Sequence, residues 1–186
     1  MRFKYETRGI VLSRAPAGEA NALIALVTPE LGLVRTRAQG VRTSGAKLAA
    51  ALATFAESDC VLVRGRDTWR IAGAVLKESW AKRLSRAARV RAARVVGLII
   101  RLVAGEAHDT ELFAITQEFF EALSELPEAE HEAIEILAAL RLLRALGLDA
   151  GGIPGENFSP EALAAIRAER KHYVSRINRG LEASGL

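Results

Sequence analysis

The segment Leu33 to Gln39 alternates Val34, Thr36 and Ala38 with Arg35, Arg37 and Gln39. In an extended strand this period of two sends the first three side chains to one face and the second three to the other. One face is core and the other is basic. Arg42 and Lys47 follow in a segment containing glycine and serine. A guanidinium pairs with phosphate through two parallel hydrogen bonds, and a flexible basic segment can track a flexible strand, so these residues form a candidate nucleic-acid backbone strip. A second cationic group, Lys82, Arg86 and Arg89, falls on one side of a predicted helix; a charged outer face is also what most surface helices carry.

The chemistry of an enzyme is not evident. His108, His131 and His172 are far apart, and neither Cys-x-x-Cys nor His-x-x-x-His occurs, so no metal site is expected. Gly151-Gly152 lacks the lysine and following helix of a phosphate-cradling loop, and the acids fall on helix exteriors, so no cofactor and no catalytic residue is assigned. Cys60, the single cysteine, lies in the run Asp59-Cys60-Val61-Leu62-Val63 and reads as a buried structural thiol.

Charge distribution carries the functional class. The formal net charge of +4 over 186 residues hides an uneven split: residues 1–105 hold 19 Lys/Arg against 7 Asp/Glu, and residues 106–186 hold 7 against 15. A basic half joined to an acidic half is the footprint of a polyanion-binding module attached to something else, and like charges gathered on one face repel unless a polyanion meets them. No long uncharged apolar run, signal-peptide order or lipidation motif is present, so a soluble, cytoplasmic protein is expected, with no membrane partner.

The elements that must position these residues change character near residue 80. Short runs rich in branched residues at Gly9–Leu12, Ala22–Thr28, Leu33–Ala38, Ser58–Arg64 and Thr68–Glu78 are separated by turn residues and predict five strands. So small a set must nearly close on itself to avoid long open edges, and the OB-type barrel is the commonest five-stranded solution. Trp69 alternates in phase with Ile71, Gly73 and Val75, which favours core over a stacking platform. Tyr5, Phe55 and Trp80 are the other rings of this region that could stack on bases.

After residue 80 the period becomes helical. The pattern predicts a helix over Ala81–Ala104 with Leu84, Ala88, Ala92, Val95, Ile99 and Val103 on one side. A second follows, capped by Asp109 and running to about Leu126, with Leu112, Phe113, Thr116, Phe119, Phe120 and Leu123 inward. A third, Glu128–Leu146, is apolar around much of its circumference and stops at Gly147-Leu148 in Schellman fashion. Ser159-Pro160-Glu161 then caps a last helical segment. The expected architecture is α+β: an N-terminal five-stranded OB-type barrel over residues 1–80 and an α-helical domain over residues 81–186.

The N-terminal half resembles a family. Gly9-Ile10-Val11-Leu12, Glu19, Ile24, Val27-Thr28, Gly32, Ala38-Gln39-Gly40-Val41-Arg42, Ser44, Leu52 and Phe55 look like the N-terminal domain of the bacterial recombination mediator RecO, and the likeness continues through Arg64-Gly65-Arg66 to Glu78. The resemblance implies a non-enzymatic, nucleoid-associated protein that binds single- and double-stranded DNA, anneals complementary strands and, with a RecR-like protein, assists loading of RecA on DNA coated by single-strand binding protein. It also implies a helical domain that receives the acidic, apolar-ended tail of single-strand binding protein; Arg167, Arg170 and Lys171, the main basic cluster of the acidic half, are the candidate receptors. These cations also complement the dipole of their own helix. The chain departs from the family in having Gln39 where lysine is usual, and in lacking the four-cysteine zinc module that some members carry. Its helical domain is expected to be a reduced one. Apart from the resemblance, the runner-up reading is a basic OB-type RNA-binding factor, and a protein-interaction scaffold, whose acidic helical half holds partners while the barrel holds DNA, is compatible with DNA binding.

Overall fold

The computed structural model describes residues 4–41, 48–66, 68–106 and 110–185. They form two compact units that interleave in sequence: Met1–Arg83 with Ala104–Phe113, and Leu84–Val103 with Ala114–Leu186.

The first unit is a five-stranded sheet, β1 (Lys4–Ala17), β2 (Asn21–Thr28), β3 (Gly32–Ala38), β4 (Ala56–Arg64) and β5 (Trp69–Ser79). The strands pair in the order β1-β2-β3-β5-β4, and β4 pairs back to β1, closing the sheet. All neighbours are antiparallel except β3 and β5, which run parallel. The five predicted strands are all present, but β1 is far longer than Gly9–Leu12. Its first half pairs with β4 and its second half with β2, and the register shift between Val11 and Ser13 lets one strand serve both partners. Inside lies a core that includes Val11, Ile24, Leu26, Val34, Leu52, Leu62 and Trp69.

The turn between β2 and β3 is built by Thr28 and Gly32. Thr28 Oγ1 accepts from Leu31 N–H at 3.1 Å and donates to the Gly32 carbonyl at 3.3 Å, while Gly32 takes a φ of 62°. A side chain at Gly32 would be strained there, which accounts for the threonine–glycine spacing.

Cys60 is buried among these core residues, as its surroundings predict. Burial, and next the Asp59 charge, push its thiol up to about 11 from 9.0. The folded state thus favours the neutral thiol: its contribution is intact below pH 9 and fades as pH rises toward about 11. Alkylation at pH 8 is therefore expected to follow unfolding, with native protein labelled only slowly in a timed maleimide assay.

A short helix α1 (Trp80–Arg83) ends the first unit's continuous part. The expected single helix over Ala81–Ala104 is in fact two. Ser85 takes an extended conformation and its side chain accepts from Ala88 N–H, so it caps a new helix, α2 (Arg86–Leu102). The predicted apolar side is nevertheless right: Leu84, Ala88, Ala92, Val95, Ile99 and Val103 are all buried.

The second unit packs around α4 (His131–Ala145), whose residues Ile136 to Leu143 are buried on every side and whose neighbours are α2, α5 (Pro160–Ala168) and α6 (Arg170–Ala183). α3 (Thr110–Glu125) buries Phe119, Phe120 and Leu123 as its period predicts; Asp109, its expected cap, lies outside the described residues. A 3₁₀ turn at Glu128–Glu130 precedes α4, and the Schellman stop is present: Leu148 N–H reaches the Leu143 carbonyl at 2.8 Å and Gly147 N–H reaches Arg144 at 2.9 Å. Ser159 caps α5, accepting from Ala162 N–H at 3.2 Å, with Pro160 in the first helical turn. The last helical segment breaks at Glu169 into α5 and α6.

Between α4 and α6 the Gly151-Gly152 loop serves packing. Arg176, 8% exposed, pairs with the largely buried Asp149 carboxylate and donates from Nη1 to the Gly152 carbonyl at 2.7 Å. A Cβ on Gly151 would collide with the Arg176 guanidinium. The glycine leaves the guanidinium its space.

Candidate nucleic-acid interface

The alternation read from β3 holds: Val34, Thr36 and Ala38 are buried, and Arg35, Arg37 and Gln39 are exposed. Their neighbour across the parallel pair is a residue that the linear pattern did not offer. Arg37 stands in register with Arg70 of β5, and Thr36 with Trp69, so Arg37 and Arg70 lie side by side on the outer face while Thr36 and Trp69 face inward. Two like charges side by side on neighbouring strands repel, and a phosphate between them would remove that cost.

Gln39 has a role of its own here. Its Oε1 accepts from Arg70 Nη2 at 2.7 Å, holding that guanidinium on the face. Lysine at the same position would exchange this hydrogen bond for a charge. Arg35 points outward and donates to the Ala104 carbonyl at 3.4 Å.

Arg42 and Lys47 lie outside the described residues. Among the described residues, Arg14 donates from Nη2 to the Val41 carbonyl at 2.8 Å and from Nη1 to that of Ala49 at 3.2 Å. Arg14 thus links the described residues on either side of Arg42 and Lys47. Sequence reading missed it because its partners are backbone carbonyls, which leave no trace in residue type.

Lys82, Arg86 and Arg89 are exposed but do not share a helix face. Lys82 belongs to α1 in the first unit, whereas Arg86 and Arg89 open α2 in the second. The reason is the cap at Ser85. With no acid in that first turn, Arg86 and Arg89 sit against the positive end of the helix dipole, an arrangement that an anion would stabilise.

Of the aromatic candidates, Trp69, Trp80 and Phe55 are buried; Trp80 donates to Glu57 Oε2 at 3.1 Å. Tyr5 is 42% exposed and leans edge-on against Trp69, ring centroids 5.1 Å apart. The phase that put Trp69 and Ile71 inside fails beyond them. Val75 is 66% exposed, because a register shift opposite Val61 and Leu62 reverses β5 after Ala72.

In the second unit, Arg167 and Arg170 are exposed but already paired, Arg167 with Glu130 and Arg170 with Glu132 at 2.7 Å; Lys171 is exposed beside them. The Arg170 hydrogen bond holds the Glu132 carboxyl below the usual carboxylate range, so this pair's contribution is present above pH 4.5 and lost as pH falls below it. Arg167 and Arg170 rim a pocket with an apolar floor of Ala133, Ile136 and Ile166. Glu132 and Ile136 are shared with a second pocket of about 260 Å³, where Arg91 and Arg94 pair with Glu135 above Val95, Leu98 and Ile177. Arg91 and Arg94 were not singled out from sequence, since within α2 they are two among many arginines.

Among the described residues no group of three or more His, Cys, Asp or Glu side chains could hold a metal ion, and no helix is long and apolar enough to cross a membrane.

Residues 1–80 match the family model described as Recombination protein O N terminal. DNA repair protein RecO of Synechococcus elongatus is 34% identical over 112 residues, an alignment spanning 60% of this chain and 42% of the relative. That of Cyanothece is 27% identical over 149 residues, spanning 80% of this chain and 51% of the relative. The chain therefore spans about half the length of these relatives. DNA repair protein RecO of Rubrobacter xylanophilus is 30% identical over 169 residues, spanning 85% of this chain and 68% of the relative. A match of that extent, running from the sheet with its arginine-bearing outer face well into the helices, places the chain in the RecO family of DNA repair proteins.

Proposed function

We propose that this protein binds single- and double-stranded DNA and acts, without catalysing a reaction of its own, as a recombination mediator that anneals complementary strands. One observation carries the reading: Arg37 and Arg70 in register, beside Arg35, on the outer face of the family-matched sheet. We read that sheet as an OB-type barrel, on its five strands, its closure and its β1-β2-β3-β5-β4 order. In this reading residues 1–80 supply the DNA-binding domain and residues 81–186 a helical partner domain. Few exposed rings and several exposed guanidinium groups favour phosphate contacts over base contacts, so sequence preference should be slight. The test is a fluorescence annealing assay with complementary strands, bare and coated with single-strand binding protein. Acceleration on both supports the reading; no acceleration on bare strands rejects it.

The proposed partners are a RecR-like protein, single-strand binding protein and, indirectly, RecA. The groove rimmed by Arg167 and Arg170 over Ile136 and Ile166 has the composition that an acidic, apolar-ended peptide needs. Charge reversal would be a poor test, because glutamate at these positions would face Glu130 and Glu132. Arg167→Gln with Arg170→Gln avoids that. The double variant is expected to weaken binding of a labelled tail peptide about tenfold while stability changes by about 1 kcal/mol or less, since exposed ion pairs contribute little. Unchanged peptide binding would place the docking site elsewhere.

A further inference from the structure

At one end of the barrel an acidic side chain occupies a site that suits a phosphate. Glu106 Oε1 accepts from the Trp69 indole N–H at 2.7 Å and pairs with Arg64 through the same oxygen. The guanidinium of Arg64 also lies over the Trp69 ring, 4.8 Å from its centroid. An indole N–H and a guanidinium converging on one anionic oxygen make a small anion site, with donors of the kind that bind phosphoryl oxygens.

The carboxylate belongs to a short segment outside the five strands. Ala104 to Glu106 is no part of the barrel's strands; besides the Glu106 side chain, an isolated bridge from Glu106 to Gly32 and the 3.4 Å bond from Arg35 to the Ala104 carbonyl join it to them. Both members of the ion pair remain substantially exposed, Arg64 at 46% and Glu106 at 40%. Exposed pairs of this kind contribute about 0–1 kcal/mol, so exchanging one anion for another costs little. The exposed ring of Tyr5, next to Trp69, provides a surface on which a neighbouring base can stack.

From these observations we infer that the Arg64–Trp69 pair is a phosphodiester-binding site on the barrel, masked by the Glu106 carboxylate, which a single-stranded nucleic acid displaces as it binds. The inference rests on the DNA-binding reading of the barrel. The ligand is a strand phosphate rather than free phosphate, since only a strand brings a base to Tyr5 with the anion.

The experiment is anisotropy of fluorescein-labelled oligothymidine over a salt series, with the full chain, Glu106→Gln, Glu106→Ala and Glu106→Gln with Arg64→Ala, each checked by thermal melting. Unmasking should strengthen binding about five- to tenfold in both single variants at low salt and steepen the log–log salt slope by about 0.7, one more neutralised phosphate on a single strand. The gain should vanish when Arg64 is also removed. Glu106→Ala guards against a glutamine that keeps the carboxylate's hydrogen bonds. If the unaltered chain binds the strand and both single variants bind it no better, the mask is refuted while DNA binding stands; if none of the proteins binds, both readings fall. Competition by inorganic phosphate at concentrations that match the oligonucleotide's phosphates would show a free-anion site and overturn the assignment to a strand.

Discussion

Alanine at Arg35, Arg37 and Arg70 together is expected to lower DNA affinity on the order of a hundredfold at about 0.1 M salt and to reduce the duplex salt slope by about 2 to 3, each lost phosphate contact contributing about 0.9. The loss should be nearly equal for all sequences, because phosphate contacts carry no base information. Stability should hold, since these side chains stand on the solvent face. Arg35 also holds the Ala104 carbonyl, so the pair Arg37→Ala with Arg70→Ala separates phosphate contact from tethering. Gln39→Lys is the complementary gain. It adds a charge and releases Arg70 from its 2.7 Å hydrogen bond, so affinity should rise by less than a full contact. Anisotropy at matched salt reads all of these; an unchanged affinity in the triple variant would mean that this face is merely solvated.

The largest loss of stability is expected from Asp149→Ala. It strips the buried Arg176 guanidinium of its carboxylate and leaves it, among the described residues, the Gly152 carbonyl as acceptor. Breaking a buried pair by removing one partner costs about 3–5 kcal/mol, and for a chain of this size that lowers Tm by about 10 °C. Replacing both partners, Arg176→Met with Asp149→Leu, should cost distinctly less than Asp149→Ala, because no charge is then left unpaired. Thermal melts of the two variants decide it. Equal losses would show that the cost lies in packing around Gly151 and not in the stranded charge.

What could be read from the residues was whatever repeats along one element. β3 alternates without interruption, so its buried and exposed faces were legible in full, and the apolar stripe from Leu84 to Val103 survived even though the helix carrying it is broken at Ser85. What could not be read was whatever depends on elements distant in sequence. Arg70 joins the candidate interface only because β5 runs parallel to β3, and nothing in Trp69-Arg70-Ile71 announces that pairing. Bulges defeat periodicity for a related reason: one extra residue opposite Val61 and Leu62 turns Val75 outward, and the shift at Leu12 extends β1 across two partners. The ion pairs of Arg167 and Arg170 with Glu130 and Glu132 are likewise tertiary, so two of the three cations that looked open to a partner already have acidic neighbours.

The interleaving of the two units bears on vectorial synthesis. A ribosome that has released only residues 1–83 has made the five strands but not Glu106 or Phe113, which complete the same unit only after the whole of α2 has been translated. At about 5–20 residues per second that interval lasts a few seconds. Throughout it the indole N–H of Trp69 and the guanidinium of Arg64 lack their carboxylate, and Arg8 lacks the Phe113 ring that it covers at 5.2 Å. The five strands can therefore be made and pair while Trp69 and Arg64 still lack the carboxylate that covers them in the finished unit, so the last of that unit's contacts form only after α2 exists.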